Sequence, residues 1–92
     1  MEPLGFELIA EERRRQVNAE EYTAKHDDTH ENGELASAAI CYAEPGLVKA
    51  TPVLPRWPWT DMWWKPEDDP IRNLVKAGAL IAAEIDRLQR KT

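Results

Sequence analysis

The chain holds one cysteine, one phenylalanine, two histidines and four glycines in 92 residues. A lone cysteine, Cys41, excludes an intrachain disulfide framework. Its place in the apolar run 35–43 predicts a small buried side chain rather than a nucleophile. That usage fits a reducing, cytoplasmic setting. Four scattered glycines exclude a Gly-rich phosphate loop, and no Ser–His–Asp or Cys–His arrangement is legible. No apolar run approaches the roughly 20 residues that span a bilayer. Residues 1–5 lack the basic and apolar regions of a secretion signal. A basic surface is missing too: 12 Lys+Arg stand against 17 Asp+Glu, for a net charge of -5. Bulk nucleic acid is thereby excluded as a partner, since coating it needs a cationic face. A small anionic ligand held by a few local cations remains open. No complete catalytic signature and no cofactor motif is present.

What the chain does have is tryptophan. All four, Trp57, Trp59, Trp63 and Trp64, fall within eight residues. Tryptophan buries a large area, and its face stacks on a base or a cation. A single domain of this size, residues 1–92, buries a modest fraction of its surface, so this segment serves as a core lid, a ligand site, or both.

The hydrophobic pattern predicts an all-α fold: a helical hairpin plus a third helix, with a Trp/Pro-rich ordered loop over 45–69. The first helix spans about 6–18, with Phe6, Ile9, Ala10 and Val17 near helical spacing. Charged residues lie between them, and Glu11 pairs favourably with Arg15. Arg13 falls on the apolar stripe and points inward or toward a ligand. Residues 20–32 are polar and read as a loop. Asp28 with Glu31 has capping-box spacing, and Thr29 and Asn32 are further caps for a second helix over about 31–43. Pro45, Pro52, Pro55, Pro58 and Pro66 bar a regular helix from the following segment, although residues 60–64 allow one helical turn. The third helix starts with Asp69 as cap and Pro70 in the first position. Ile71, Leu74, Val75, Gly78, Ile81, Ala82, Ile85 and Leu88 then carry its apolar side. That side exceeds what two short helices cover, which predicts a homo-oligomer.

Two constellations carry chemistry. Around the tryptophans stand Arg56, Lys65, Arg72 and Lys76, an arrangement that can stack a base and meet a phosphate. Glu67, Asp68 and Asp69 oppose a phosphate at the third helix's N-terminus. The second constellation is His26, Asp27, Asp28, His30, Glu31 and Glu34, dense enough to cap a helix or to ligate a divalent metal.

Three resemblances follow from these residues. The strings Glu12-Arg13-Arg14-Arg15-Gln16-Val17, Tyr22-Thr23, His26-Asp27-Asp28, Gly33-Glu34-Leu35-Ala36, Trp57-Pro58-Trp59 and Trp63-Trp64-Lys65-Pro66, with 39–43 and 72–81, resemble a family of short uncharacterised proteins from tailed phages and prophages. That resemblance covers most of the chain and implies a phage accessory role. Residues 14–28 with 74–81 are similar to the RyR domain, which implies a nucleotide-type ligand. There Glu21-Tyr22-Thr23 replaces Gly-Trp-Thr. Glu31 and Glu34 form an ExxE pair similar to that of MazG-type NTP pyrophosphatases, which implies Mg²⁺ chemistry. The ExxD partner is missing, and Glu84 and Asp86 are the acids the third helix offers.

The combined expectation is a cytoplasmic phage protein that sequesters a nucleotide-type ligand without catalysis, in the manner of counter-defence against a host immune second messenger. Its candidate ligand-binding residues are Trp57, Trp59, Trp63, Trp64, Lys65, Arg72, Arg13, His26, Asp27 and Asp28. Two alternatives stand beside it: a MazG-like pyrophosphatase using Glu31 and Glu34, and a protein–protein adaptor whose tryptophan block is a hot spot.

Overall fold

The computed structural model describes residues 2–20, 23–44 and 57–91, with the side chain of Asp61 excepted. The Pro-rich half of the long loop, together with Arg56 and Tyr22, lies outside the described residues. Among the described residues there are four helices: α1 Gly5–Ala19, α2 Ala24–Asp27, α3 Glu34–Ala43 and α4 Pro70–Lys91. A 3-10 turn, Asp61–Trp63, falls within the predicted turn at 60–64. No strand occurs among the described residues, and the fold is all-α as expected.

The long α4 is the spine, and α1, α2 and α3 each pack against it. Its start follows the predicted chemistry. Asp69 accepts the Ile71 N–H at 2.9 Å, and Pro70 opens the helix without a backbone donor to leave unpaired. The side facing α1 and α3 is built from small residues: Ala77, Ala79 and Ala83 are buried, with Val75 and Leu80. Small side chains let neighbouring helices approach closely. Gly78 marks a close approach of α1, where carbons of Ile9 lie 2.5–3.3 Å from the place a Cβ would occupy. The bulkier Ile71, Leu74, Ile81, Ile85 and Leu88 remain exposed. The apolar stripe legible in the sequence is thus mainly the outer face of α4.

Three local details differ from the sequence expectation. Helix α3 begins at Glu34, after Gly33 in the left-handed region at φ 79°, rather than at 31 with Asp28 and Glu31 as its capping box. The reason is a competing set of partners. Asp28 accepts from Arg90 at 2.7 Å, and Glu34 reaches back to the Asn32 N–H at 2.6 Å. The polar stretch read as a loop contains α2, started by Thr23, whose hydroxyl accepts the His26 N–H. Ion pairs from Arg13 to Asp27 and from Arg90 to Asp28 tie this short helix to α1 and α4. Finally, Arg15 pairs with Glu12 rather than Glu11, through two hydrogen bonds of 2.9 and 2.7 Å.

The tryptophan segment packs over the α3–α4 junction. Trp57 is buried in one cluster with Leu35, Tyr42 and Leu80, and Trp59 and Trp64 pack against that cluster. Tyr42 joins it edge-on to Trp57 at 5.7 Å and tilted to Trp64 at 4.7 Å between ring centroids. Polar contacts fix the segment's ends. Trp57 donates to the Thr60 carbonyl at 3.0 Å, Tyr42 accepts the Lys65 N–H at 3.1 Å, and Lys76 donates to the Lys65 carbonyl at 2.7 Å. Buried Asn73 both donates to the Glu67 carbonyl and accepts its N–H, each at 2.8 Å.

Candidate functional site

The folding of the tryptophan segment leaves a cleft on one side. Its volume is about 570 Å³, and Glu20, His26, His30, Leu35, Pro58, Trp59, Thr60 and Trp63 line it. That size and largely apolar lining suit a small organic ligand. Trp63 is 47% exposed, whereas Trp57 is 7% exposed. The four tryptophans therefore divide: Trp57 and Trp64 belong with Tyr42 in the packed cluster, and Trp59 and Trp63 face the cleft.

Helix α2 and the turn that follows it form the opposite wall. His26 lies on the helix and His30 after the turn, and their rings meet edge-on at 5.0 Å. His30 in turn lies 5.1 Å from Trp59, tilted by 52°. A continuous aromatic line thus runs from His26 through His30 to Trp59 and Trp57. Burial is the largest influence on His30 and lowers its imidazole pKa. His26 and Arg87 act in the same sense, against Glu34 and Asp27. The ring is held neutral below its ordinary range. Its buried Nε2 has no hydrogen-bond partner among the described residues. Such an atom is costly to leave unmatched.

The cations expected to meet phosphate are differently placed. Arg13 donates to the fully buried Asp27 at 2.8 Å. Arg72 donates to buried Glu12 at 2.8 Å and stands 3.9 Å from Glu67. Burial raises the Glu12 carboxyl, but hydrogen bonds and charge from Arg15, with help from Arg72 and Gln16, outweigh it and hold the pKa below its ordinary value. Lys65 has its ammonium 5.6 Å over the Trp63 ring and is exposed. Asp28 is held by Arg90 on the far side of α2. Of the ten residues singled out from sequence, the fold brings His26, Trp59 and Trp63 to one cleft and sets Lys65 beside it.

His30, Glu20, Thr60, Leu35 and Pro58 complete the lining and were not in the predicted ligand set. The i,i+4 spacing of His26 and His30 was the available signal, obscured because α2 reads as a loop.

For metal chemistry, no group of three or more His, Cys, Asp or Glu side chains suited to hold an ion is present among the described residues. Glu34 lies 3.9 Å from His30, Glu31 is exposed, and Glu84 holds Arg87 through two hydrogen bonds. Cys41 is fully buried. Among the described residues, no helix is long and apolar enough to cross a membrane. No family model, curated protein or solved structure matches the chain.

Proposed function

We propose that this chain binds a nucleotide-type ligand in the cleft between Trp59–Trp63 and His26–His30, and holds it without chemical turnover. The observation that carries this reading is the cleft itself: two indoles and two imidazoles facing about 570 Å³ of space. A planar base stacks on such rings at roughly 1–3 kcal/mol per base. The His30 imidazole, which lines the cleft, is a polar ring beside the base. The Thr60 hydroxyl and the Glu20 carboxylate are further groups for ribose or exocyclic amines.

Charge narrows the ligand class. Lys65 is a cation beside Trp63, while Glu20 lines the cleft and the whole chain carries -5. A triphosphate would meet strong repulsion. A nucleoside, a monophosphate or a cyclic nucleotide, with its phosphate toward Lys65, fits better. The resemblance to phage accessory proteins makes a host second messenger of this class the intended cargo, so the protein acts as a sponge.

The test is a titration of intrinsic tryptophan fluorescence with mono-, di- and cyclic nucleotides, with and without Mg²⁺. A saturable quench by one class, lost in Trp63→Ala, with the ligand recovered intact, is the expected result. A ligand recovered cleaved would replace the sponge by an enzyme. A flat response across the panel would overturn the nucleotide reading. It would favour the adaptor, for which the exposed pair Met62 and Trp63 is the surface feature.

A further inference from the structure

Helix α4 carries a second apolar face, outside the cleft. Ile71, Leu74, Gly78, Ile81, Ile85 and Leu88 follow at alternating spacings of three and four residues, the repeat that runs a seam along one side of a helix. The five side chains are 47–59% exposed. At Gly78 the missing side chain is replaced by Ile9 of α1, which sits directly on the glycine. From Ile71 to Leu88 the seam runs about 26 Å along α4, with Ile9 of α1 filling its middle at Gly78. Isolated exposed leucines are ordinary, but five in register form a patch of the size that marks an interface.

We propose that this seam is the interface of a homodimer in which two copies of α4 pack antiparallel. Charge decides the direction. The segment leading into α4 is acidic, with Asp68 and Asp69 exposed, and its last turn is basic, with Arg90 and Lys91. A parallel pair would set like charges together at both ends, whereas an antiparallel pair sets Asp68 against Lys91 of the second copy and opposes the helix dipoles. The spacing suits the same direction. With its centre between Gly78 and Ile81, Ile71 meets Leu88 of the second copy, Leu74 meets Ile85, and Ile81 packs over Ile9. The alternation of three and four gives a left-handed crossing of roughly 20°. Phe6, 70% exposed and one turn before Ile9, extends the apolar surface. No seam residue lines the cleft, so the dimer carries two separate ligand sites.

Sedimentation equilibrium of the full chain tests the pairing. The expected mass is twice that of the chain, falling to the single-chain mass in Leu74→Glu/Ile81→Glu with unchanged helical circular dichroism, since both positions are exposed in the protomer. A native chain that sediments as a monomer at high micromolar concentration would overturn the proposal, as would a dimer indifferent to the double variant. Oxidation of a mixture of Ile71→Cys and Leu88→Cys chains tests direction: crosslinks between 71 and 88 are expected, and crosslinks between 71 and 71 would overturn the antiparallel arrangement. Asp68→Lys should weaken the dimer several-fold, and adding Lys91→Glu should restore it.

Discussion

Arg13 on α1 donates to Asp27 on α2 at 2.8 Å, and the carboxylate it meets is completely buried. Position 13 lies on the apolar side of α1, so the guanidinium reaches inward, and a charge pair ties α2 to α1. Removing one member of a buried pair strands the other charge and costs about 3–5 kcal/mol. Arg13→Met should destabilise the fold by about that amount in urea unfolding, and Arg13→Met with Asp27→Leu should recover much of it. If the single variant unfolds at the same midpoint as the native chain, the pair contributes nothing.

Trp57 and Trp63 should respond oppositely to truncation. Trp57 is buried among Tyr42, Trp59 and Trp64 and satisfies its N–H on Thr60. Trp57→Ala should cost about 3–5 kcal/mol of stability through the cavity it leaves. Trp63 is half exposed at the cleft. Trp63→Ala should leave stability within about 0.5 kcal/mol while weakening nucleotide binding roughly 5- to 150-fold, the loss of one stacking partner. Thermal unfolding and ligand titration on the same two proteins separate the roles.

How far the sequence spoke depends on whether the decisive partner was local. The helix α4 was legible because Asp69, Pro70 and the apolar spacing all act within a few residues. The helical turn at Asp61–Trp63 was legible because prolines bracket it. The start of α3 was not, because the acid that seemed to cap it, Asp28, is taken by Arg90, 62 residues away. Helix α2 is invisible to periodicity at four residues and depends on two long-range ion pairs. At the candidate site, composition pointed to the tryptophan block but could not divide it. Which indole packs and which faces solvent is set by Tyr42 and Leu80, and neither lies in that segment. Likewise, cations near an aromatic cluster in sequence reveal nothing about prior commitments: Arg72 is bound to Glu12, 60 positions away.

Ile9 and Gly78 should behave as a coupled pair. A glycine inside a helix costs about 0.5–1 kcal/mol relative to alanine, so Gly78→Ala would ordinarily stabilise. Here the new methyl would meet Ile9 carbons at 2.5 and 2.8 Å. Overpacking costs about 1–3 kcal/mol, and the net effect should be a loss of about 1 kcal/mol. In an Ile9→Ala background the obstacle is gone, and the same substitution should stabilise by about 0.5–1 kcal/mol. A double-mutant cycle by chemical unfolding reads the sign change directly.

Acid should weaken the protein in two separate windows. His30 has a lowered pKa in the fold, chiefly through burial, so the unfolded chain takes up its proton first, near the ordinary value of about 6.5. Where the unfolded state binds more protons, stability rises with pH. The His30 contribution is therefore present above about pH 6.5 and declines as pH falls below it, levelling off beneath the folded pKa. Glu12 is also lowered, since Arg15 and Arg72 outweigh its burial. Its contribution is present above the ordinary carboxylate range of about 4–4.5 and is lost as pH falls through the folded pKa. Unfolding midpoints followed from pH 8 to pH 3 should thus fall in two steps. His30→Gln should remove the upper step and leave the lower one, and Glu12→Gln should do the reverse. Nucleotide affinity of the native chain and of His30→Gln, followed over the same range, should diverge as His30 gains its proton in the fold; parallel curves would remove His30 from the ligand's contacts.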